Sequence, residues 1–511
     1  MKTSKVVIKI SQSVWETINC YHKDSDEKLS FLHARTVRRG DTTIILACEN
    51  PTLLADDCYR SHGATHLSLY KDVTEGVVSK FLDSGFDTLI NIHNHPFSES
   101  GTTFSAVDDR DDVSFDKAVR PAMYHSGQTF TSVSVVLDRK SVDARITDTT
   151  QSKAFQVVTE IQCHGDQLQI LYPNSASGST TIREAVDERL ARQDFIPAHV
   201  ATWMQSARVA IAGAGGLGSI LAEGILRLGF RHLTICDDDE VEISNLNRLQ
   251  GIRQDQLGMQ KVRALEGHLK AIAPDAHIRC LSTPLQDKVA TQAFSECDLL
   301  IGALDNSLPR ALLNHISVQY QIPYFDAGVE VQRAPVNFRY RLFGVLPGVT
   351  ACMQCSAFEI LDDAEIAHAL LNPELEGEFR HRGYITGEEE AKAASVYALN
   401  LQASGALMTE LINYLCGFRF TATTLYSDFS SDTYQRTDRI IYPGNKPGVD
   451  CPVCSHYTGL GDQESLPFFT TLNENDIDLS VFFGPQYTED DKDTKLVSEI
   501  SENYIDAIKC V

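Results

Sequence analysis

Hydrophobic and polar residues change their spacing several times along the chain, and each change indicates a new element. "KVVIKISQSVWETI" leads into "EKLSFLHARTVRRGDTTIILACEN", whose β-branched runs around a Gly-Asp turn are typical of a hairpin. "DVTEGVVSKFLDSGF" has apolar residues at helical spacing, whereas "DTLINIHNH" is an apolar run of strand length. "TFTSVSVVLDRKSVDARITD" supplies further strands. The first part of the chain is therefore predicted to be an α/β domain.

Strand and helix patterns alternate again from about residue 180 to about residue 455. A chain of 511 residues corresponds to about three units at roughly 150 residues each. The polar segments "DTTQSKAFQ" and "PNSASGSTT" are candidate boundaries. We predict a first domain over 1–150, a linker over 151–184, a second domain over 185–455 and an acidic tail over 456–511, whose Phe pairs favour docking.

Charge, apolar runs and cysteine content disfavour several classes of protein. The net charge of -24 disfavours nucleic acid and anionic lipid as partners, because phosphate contacts need concentrated Lys and Arg. No apolar run approaches the roughly 20 residues that span a bilayer, and the amino terminus shows no secretory signal pattern. We therefore expect a cytoplasmic protein without a membrane span. Its 13 cysteines are too sparse for a disulfide scaffold, so paired cysteines favour metal binding.

The stretch "NIHNHPFSESGTTFSAVDD" carries the first candidate site. His93 and His95, two residues apart on an extended segment, point to the same side, and Asp108 on the following loop could complete three ligands for zinc. Ser105 is near enough to donate a hydrogen bond to a developing oxyanion. Glu27 precedes an apolar segment that could run beside the histidine strand, which makes it the candidate general base.

This constellation resembles the JAMM (JAB/MPN+) metallopeptidase motif, which is a Glu upstream of His-x-His-Pro and then Ser-x-x-Asp. The family cleaves isopeptide or peptide bonds after the C-terminal glycine of ubiquitin-like proteins. The resemblance implies that His93, His95 and Asp108 hold catalytic Zn2+, that Glu27 activates water and that Ser105 supports the tetrahedral intermediate. Two alternatives are an ordinary surface loop and a degenerate domain kept for binding.

The second candidate site begins with "RVAIAGAGGLGSILAEGILRLGF", which reads as a strand, a glycine loop and a helix. In that context Gly213, Gly215 and Gly218 allow a tight turn and close approach of phosphate to the helix N-terminus. The next strand ends in "LTICDDDEVEISNLNRLQ", where an acidic residue usually meets a ribose. These residues predict a nucleotide site.

"DDDEVEISNLNR", "GMQKV" and "LLIGALDN" follow the order seen in the ThiF/MoeB-like family of ubiquitin-activating enzymes, over about residues 185–455. Those enzymes use ATP to adenylate the C-terminal glycine of a ubiquitin-like or sulfur-carrier protein. The resemblance implies a Rossmann-like domain in which Asp305 binds Mg2+ and, with Arg248 and Lys261, is catalytic. It also implies a set of nucleotide-binding residues: Gly213, Gly215, Gly216, Gly218, Asp237, Asp239, Asn245, Arg248, Lys261 and Arg192. A dehydrogenase is disfavoured, because hydride transfer does not need Arg248, Lys261 and Asp305 clustered on phosphate and metal.

Arg192, in "RLARQDF", matches the element that family members supply to the ATP of a partner subunit, which implies a homodimer. Two Cys-x-x-Cys pairs, Cys352 with Cys355 and Cys451 with Cys454, suit a tetrahedral structural zinc. The same family carries two such pairs in these relative places.

The crossover segment lacks the cysteine that many activating enzymes use as an acceptor. Cys416 ends an apolar helix pattern and is expected to be a core residue. Three routes stay open: direct transfer from the acyl-adenylate, an ester on Thr386 or Ser395, or a thioester on Cys510.

The leading hypothesis is an α/β fusion of a JAMM-like zinc isopeptidase with a ThiF-like adenylyltransferase, as in bacterial ubiquitin-like conjugation pathways. Its expected partners are a ubiquitin-like protein, a conjugating enzyme and a second copy of the chain. A second hypothesis makes the substrate a sulfur carrier for cofactor or cysteine biosynthesis. A third treats the first domain as an inactive binding module.

Overall fold

A computed structural model describes most of the chain outside residues 357–394 and 464–511. The described ranges are 5–47, 50–98, 101–125, 127–177, 188–305, 307–333, 336–356, 395–419, 421, 423–430, 435–441, 447–448 and 450–463. The chain divides into two compact units, with the first running to Thr202 and the second beginning at Trp203. The first unit also takes in Leu415–Gly417 and the described residues from Gly459 onward.

One large sheet forms the centre of the first unit. Its strands are β1 (Lys5–Ser11), β2 (Leu29–Arg39), β3 (Thr42–Ala47), β4 (Thr52–Leu53), β7 (Thr88–Asn94), β8 (Thr131–Leu137), β9 (Val142–Thr147), β10 (Phe155–Val157), β11 (Glu160–His164) and β12 (Leu168–Leu171). The order is β10-β9-β8-β7-β2-β3-β1-β11-β12, with β4 paired to β2. A separate hairpin consists of β5 (Tyr59–Gly63) and β6 (His66–Leu69).

Helices pack on the first sheet around two apolar clusters. They are α1 (Gln12–Tyr21), α2 (Lys71–Asp83), α3 (Ala106–His125) and the short α4 (Asn174–Ser177), with a 3-10 turn at Asp56–Cys58. One cluster contains Trp15 and Ile18 of α1, and the other contains Phe81 of α2 and Met123 of α3. The sheet is thus buried between α1 and the pair α2 and α3.

The hairpin, helix α2 and the histidine strand were predicted, and the structure has them, whereas helix α1 was not predicted. Gly40, at φ +58°, makes the turn between β2 and β3, because glycine adopts a left-handed backbone without strain. Ser11 caps α1 by accepting a hydrogen bond from Val14 N at 3.4 Å. The pairing of β2 with β7 begins at Leu29 opposite His93, so the histidines lie where the strand ends.

Part of the predicted linker over 151–184 is folded into the first sheet. β11 pairs with β1 in parallel, and Thr159 Oγ1 donates to Val6 O at 2.6 Å. All five residues of β11 are buried. This pairing joins residues about 150 positions apart, so no local pattern could indicate it, and the linker prediction is wrong for residues 155–171.

A second sheet forms the centre of the second unit. Its strands are β13 (Arg208–Ala212), β14 (His232–Cys236), β15 (His277–Leu281), β16 (Leu299–Gly302), β17 (Tyr324–Arg333), β18 (Val336–Val345), β19 (Thr424–Ser430) and β20 (Gln435–Ile441). The order is β15-β14-β13-β16-β17-β18-β19-β20, parallel up to β17 and antiparallel beyond it. The parallel part has the strand order of a Rossmann-like fold, as predicted, and its order reverses between β13 and β16.

The helices of this region are α5 (Ala198–Ser206), α6 (Gly216–Leu228), α7 (Lys261–Ile272), α8 (Lys288–Ser295), α9 (Ser307–Gln319) and α10 (Tyr397–Cys416). Short 3-10 turns lie at Glu188–Leu190, Ile243–Asn245, Gln254–Gln256 and Gly461–Gln463. A glycine-containing loop joins β13 to α6 at the switch point, which is where open α/β sheets bind ligands. Within the described residues, no helix combines the length and the apolar character needed to cross a bilayer.

Candidate active sites

Three predicted ligands converge at the end of β7 in the first unit. His93 Nε2 and His95 Nε2 lie 3.2 Å apart, and Asp108 places Oδ1 3.3 Å from His93 Nε2 and Oδ2 3.6 Å from His95 Nε2. Ligands about 2.0–2.1 Å from a tetrahedral zinc would be separated by about 3.3 Å. The ligand atoms of these three side chains are therefore separated by distances that suit a shared zinc ion.

The protonation of this cluster also suits a metal. Burial, and then the charge of His93, lower the pKa of His95, which favours the neutral imidazole that binds metal. Burial alone would raise the pKa of Asp108, but hydrogen bonding to His93 and to the Ser105 backbone holds it below its usual range. His95 Nδ1 lies 3.2 Å from Thr102 Oγ1, a partner that can fix the ring once Nε2 faces a metal.

Asp108 lies in the first turn of α3, whereas the sequence placed it on a loop. Ser105 Oγ accepts hydrogen bonds from Val107 N at 3.2 Å and from Asp108 N at 3.3 Å, while Asp108 Oδ2 accepts from Ser105 N at 2.6 Å. These reciprocal bonds form a capping arrangement at the helix start. The Ser-x-x-Asp motif thus sets the direction of the Asp108 carboxylate, and the Ser105 hydroxyl can still donate its own hydrogen.

Arg145 of β9 holds this end of α3 in place. Its guanidinium bonds Asp109 Oδ1 and Asp112 Oδ2, both at 2.5 Å. It also lies between two aromatic rings, 3.8 Å from the centroid of Phe104 and 4.0 Å from that of Phe155. Paired charges and stacked rings are favourable in a partly buried position.

Glu27, the predicted base, interacts electrostatically with His93 and Asp108 of this cluster. It precedes β2 by two residues and so lies beyond the last β2–β7 pair, which is Leu29 opposite His93. It is only 7% exposed. Burial raises the pKa of Glu27 to about 7, with the charge of His93 opposing the increase and that of Asp108 adding to it. A carboxyl group whose pKa is near neutrality is suited to accept and return a proton.

A cavity of about 1410 Å³ opens at the switch point of the second unit. The predicted residues that line it are Gly213, Gly215, Gly216, Asp237, Asp239, Asn245, Arg248, Lys261 and Asp305. Seven carboxylates and five cationic side chains are found on its wall. The strand ends and the α6 N-terminus therefore bring the predicted nucleotide residues together.

Two glycines shape the loop for steric reasons. Gly213 has φ +92°, and a Cβ there would lie 2.4 Å from the carbonyl oxygen of Ala303 on the neighbouring loop. Gly218 does not line the cavity, and it allows α6 to pack against the loop. The loop is thus held close to the end of β16, and the α6 N-terminus faces the cavity, as anion binding requires.

Charged side chains cross the opening of this cavity. Lys261 Nζ lies 2.5 Å from Asp239 Oδ2 and 4.0 Å from Asp237 Oδ1. Asp237 Oδ2 accepts a hydrogen bond from Ala214 N at 2.6 Å, which ties the acidic strand end to the glycine loop. Burial raises the pKa of Asp237, and Lys261 opposes that increase.

Arg248 and Asn245 come from the segment between β14 and α7. Arg248 donates to Ser244 O at 2.7 Å, and Asn245 Oδ1 accepts from Glu242 N at 3.0 Å. Asp305 follows β16 and acts electrostatically on Arg310. A carboxylate oxygen at this position is the donor type that Mg2+ prefers, and the surplus of carboxylates on the wall favours a divalent cation beside a polyphosphate.

Arg310 and Asn400 are two of the lining residues that sequence reasoning missed. Arg310 of α9 donates to Leu304 O and pairs with buried Asp326 at 3.2 Å. Its position five residues after Asp305, at the start of a helix, was an available signal. Asn400 of α10 lies against Gly216, where a Cβ would come within 2.2 Å of its Nδ2. No local signal links these two residues, because they are far apart in the chain.

Four cysteine sulfurs cluster in the second unit. Cys352 Sγ lies 3.8 Å from Cys355 Sγ and 3.7 Å from Cys451 Sγ, and Cys355 Sγ lies 3.5 Å from Cys454 Sγ. Sulfurs about 2.3 Å from a tetrahedral zinc are separated by about 3.8 Å. Gly448 N donates to Cys355 Sγ at 3.4 Å, which favours the thiolate form. The donor set and spacing fit a structural zinc.

The remaining predicted residues are placed differently. Arg192 lies in the first unit and does not line the cavity, so its service to a second copy stays a prediction. Ser395 lines the cavity and accepts a hydrogen bond from Asn400 Nδ2 at 3.4 Å. Cys416, expected to be a core residue, is only partly buried, and burial raises the pKa of its thiol to about 11, so the thiol stays protonated. Thr386 and Cys510 lie outside the described residues.

The ThiF family model matches residues 187–448, which is just over half of the chain. The chain belongs to the ThiF family. The match covers the switch-point cavity and begins near the boundary predicted at residue 185.

Relatives of known name are similar over part of this ThiF-family chain. Ubiquitin-like modifier-activating enzyme 5 of Drosophila willistoni is 30% identical over 162 residues, which is 29% of this chain and 38% of that protein. SUMO-activating enzyme subunit 2 of Dictyostelium discoideum is 24% identical over 171 residues, which is 33% of this chain and 25% of that protein. The chain thus matches well under half the length of these relatives.

Solved structures of E. coli MccB, one with MccA-N7isoASN and one with ATP, match 54% and 53% of this chain. Each match covers 76% of the MccB chain, at 18% identity and TM-scores of 0.42 and 0.41.

Proposed function

We propose that the second unit uses ATP to adenylate the C-terminal glycine of a ubiquitin-like protein. The observation that carries this proposal is the meeting of the α6 N-terminus with Arg248, Lys261 and Asp305 around one cavity. Backbone N–H groups at a helix N-terminus bind phosphate, and the cationic side chains neutralise charge that develops between two anions. The named relatives, which are activating enzymes of ubiquitin-like modifiers, support the same class of substrate.

In this reaction the carrier's carboxylate oxygen attacks the α-phosphorus of ATP, a bond to AMP forms, and pyrophosphate leaves. Arg248 and Lys261 would hold the phosphates, and the Asp237 carboxylate would accept a hydrogen bond from a ribose hydroxyl. Bound Mg2+, held by Asp305, would neutralise phosphate charge. Groups held by the fold around one cavity would need little reorganisation for this step.

ATP–pyrophosphate exchange tests the proposal directly. The probe is a ubiquitin-fold protein that ends in glycine, compared with the same protein shortened by that residue. Exchange should require the glycine and should be lost in Asp305→Ala. Asp255→Ala is the matched control, because Asp255 is an exposed aspartate that does not line the cavity. Exchange that survives Asp305→Ala would contradict the assignment.

The group that finally accepts the activated carrier protein distinguishes the two possible substrates, a ubiquitin-like protein and a sulfur carrier. A ubiquitin-like substrate would pass to a conjugating enzyme or a protein amine, whereas a sulfur carrier would pass to a sulfur donor. Ser395, on the cavity wall, would be the acceptor if an ester forms. Mass spectrometry after incubation with ATP and carrier separates these routes: a hydroxylamine-sensitive adduct lost in Ser395→Ala indicates the ester, and absence of an adduct indicates direct transfer.

We further propose that the first unit is a zinc hydrolase that cleaves after the same C-terminal glycine. His93, His95 and Asp108 have the donor types and spacing for zinc. Glu27, which interacts electrostatically with His93 and Asp108, would be the base. Zinc bound there would lower the pKa of water and polarise the scissile carbonyl. Glu27 would take the proton of that water and return it to the leaving amine, and the Ser105 hydroxyl would donate to the oxyanion.

Cleavage of a carrier extended beyond its terminal glycine tests this second activity. Chelator and Glu27→Gln should each abolish it, whereas Glu75→Gln on the exposed face of α2 should not. Zinc retention without cleavage in the wild-type protein would favour the inactive binding module.

A homodimer, with Arg192 serving the nucleotide of the other copy, is part of the same proposal. Mixing an Arg192→Ala chain with an Asp305→Ala chain should restore about a quarter of the exchange activity if sites are shared and copies pair at random.

A further inference from the structure

Asn94 lies between the two histidines of the first cluster and points the other way. Successive side chains of a strand alternate between its two faces, so His93 and His95 share one face and Asn94 occupies the opposite one. Asn94 is 1% exposed, which means that each of its polar atoms needs a partner within the protein. Those partners belong to the segment that carries Glu27.

The carboxamide of Asn94 bonds the backbone on both sides of Glu27. Asn94 Oδ1 accepts a hydrogen bond from Lys28 N at 2.7 Å, and Asn94 Nδ2 donates to Asp26 O at 3.0 Å. Because one partner is an obligatory donor and the other an obligatory acceptor, these bonds fix which end of the amide is oxygen. One side chain therefore clamps both neighbours of the candidate base.

His22 holds the Asn94 carboxamide in place through a further hydrogen bond. His22 Nδ1 lies 3.2 Å from Asn94 Oδ1, and His22 Nε2 lies 2.8 Å from Ser30 Oγ. Since Oδ1 can only accept, Nδ1 must carry the hydrogen, and Nε2 then accepts from the Ser30 hydroxyl. The Asn94 amide is thus bonded to the Asp26–Lys28 backbone on one side and, through His22, to Ser30 of β2 on the other.

Glu27 needs such support because the sheet does not extend to it. The β2–β7 ladder ends at Leu29 opposite His93, two residues short of Glu27. The backbone of Glu27 itself donates to Gly63 O at 2.9 Å. The hydrogen bonds of Asn94 take the place of the missing ladder bonds. Asn94 is also the residue between the two candidate zinc ligands His93 and His95.

We propose that Asn94 is a positioning residue that fixes Glu27 relative to the metal pair His93 and His95. This inference rests on the proposed zinc hydrolase. A general base must come within about 2.6–3.2 Å of the proton it removes, and a misplacement of about 1 Å costs roughly 100-fold in rate. Loss of the clamp should therefore slow cleavage without removing the metal ligands.

The test compares wild type, Asn94→Ala and Asn91→Ala in the full chain. Asn91 lies on the same strand and is paired with Phe31, so it is a matched control. The first readout is hydrogen exchange of the Lys28 amide in metal-free protein. Exchange at Lys28 should be faster in Asn94→Ala alone, while amides of β8 keep their protection and show that the sheet is intact. Unchanged exchange at Lys28 would overturn the proposal.

The second readout separates positioning from metal binding. Asn94→Ala should bind zinc with wild-type stoichiometry and affinity while kcat falls about 100-fold and KM stays within about threefold. In a Glu27→Gln background the same substitution should have no further effect, because a residue that acts through Glu27 has nothing left to position. Zinc loss in Asn94→Ala, or additive effects of the two substitutions, would overturn the proposal. If wild type cleaves nothing, the hydrolase is wrong, and the Lys28 exchange rate still decides whether Asn94 holds this segment.

Discussion

A Cβ atom built on Gly218 would lie 1.8 Å from the carbonyl oxygen of Gly213. Gly213 lines the switch-point cavity and Gly218 lies in the first turn of α6. The contacted atom belongs to the backbone, which cannot rotate away. A side chain at residue 218 would push the Gly213 backbone away from α6. That movement would disturb the contact between the glycine loop and Ala303. The glycine pattern is therefore a packing requirement as much as a phosphate-binding one.

Gly218→Ala should destabilise the second unit and abolish ATP binding. The overlap has the character of overpacking, which costs about 3 kcal/mol, and this corresponds to a fall of about 6–12 °C in the unfolding midpoint. Differential scanning calorimetry and equilibrium binding of ATP measure the two effects.

Gly267→Ala is the matched control, because Gly267 lies within α7 and a Cβ there meets open space. That substitution should stabilise the protein by about 0.5–1 kcal/mol. Equal effects of the two substitutions would contradict the packing argument.

Lys261→Ala should weaken the use of ATP more than it weakens the fold. Lys261 begins α7 and lies against Asp239, whose side chain is 68% exposed, so solvent screens the attraction between the two charges. A charged hydrogen bond to phosphate is worth about 1.5–3 kcal/mol, which predicts a loss of about 10- to 100-fold in kcat/KM for ATP–pyrophosphate exchange. Arg263→Ala removes an exposed cation from the same helix and should leave exchange unchanged. Equal losses from both substitutions would assign the effect to general charge.

The sequence was sufficient to predict the elements that carry short motifs. The β13–loop–α6 unit and the histidine strand β7 are local patterns, so their glycines and histidines could be placed without a structure. Helix α3 was not predicted, because it buries Asp112 and Asp116. These carboxylates pair with Arg145 and Arg120 and occupy positions where periodicity expects apolar residues.

Contacts between distant segments were beyond sequence reasoning. Asn400 of α10 lies against Gly216 of the glycine loop, although the two are far apart in the chain. Strand β11 pairs with β1, although seven strands of the same sheet lie between them in sequence. Neither relationship leaves a periodic signal. Asn94 shows the same limit on a smaller scale, since its alternation with the histidines could be predicted while its bonds around Glu27 could not.

Zinc should bind at two independent places. Cys352→Ser should remove about one zinc per chain and lower the unfolding midpoint, because a structural site contributes its binding energy to the fold. His95→Ala should remove the other zinc and leave the midpoint of the second unit unchanged. Cys20→Ser, at an exposed cysteine, should retain both. Elemental analysis with calorimetry measures these outcomes, and loss of both ions from a single substitution would contradict independence.

The buried His22 should make the first unit sensitive to acid. Burial lowers the pKa of His22 to about 4, the charges of His93 and Lys28 add to this, and the bond to Asn94 opposes it. The unfolded chain protonates His22 near pH 6.5, whereas the folded chain resists until about pH 4. Stability is therefore fully present above pH 6.5 and is lost as the pH falls towards 4, by about 3 kcal/mol in total.

His22→Gln keeps a donor and an acceptor but cannot titrate, so its unfolding free energy should fall less between pH 6.5 and pH 4 than that of wild type. Trp15 lies in the core of the first unit, and Trp203→Phe leaves it as the single tryptophan, so its fluorescence reports this unit during denaturant unfolding. Because carboxylates titrate in both proteins, only the difference between the two curves reports His22. Parallel curves would mean that His22 is protonated in the folded state, and its bond to the Asn94 oxygen would then be charge-assisted.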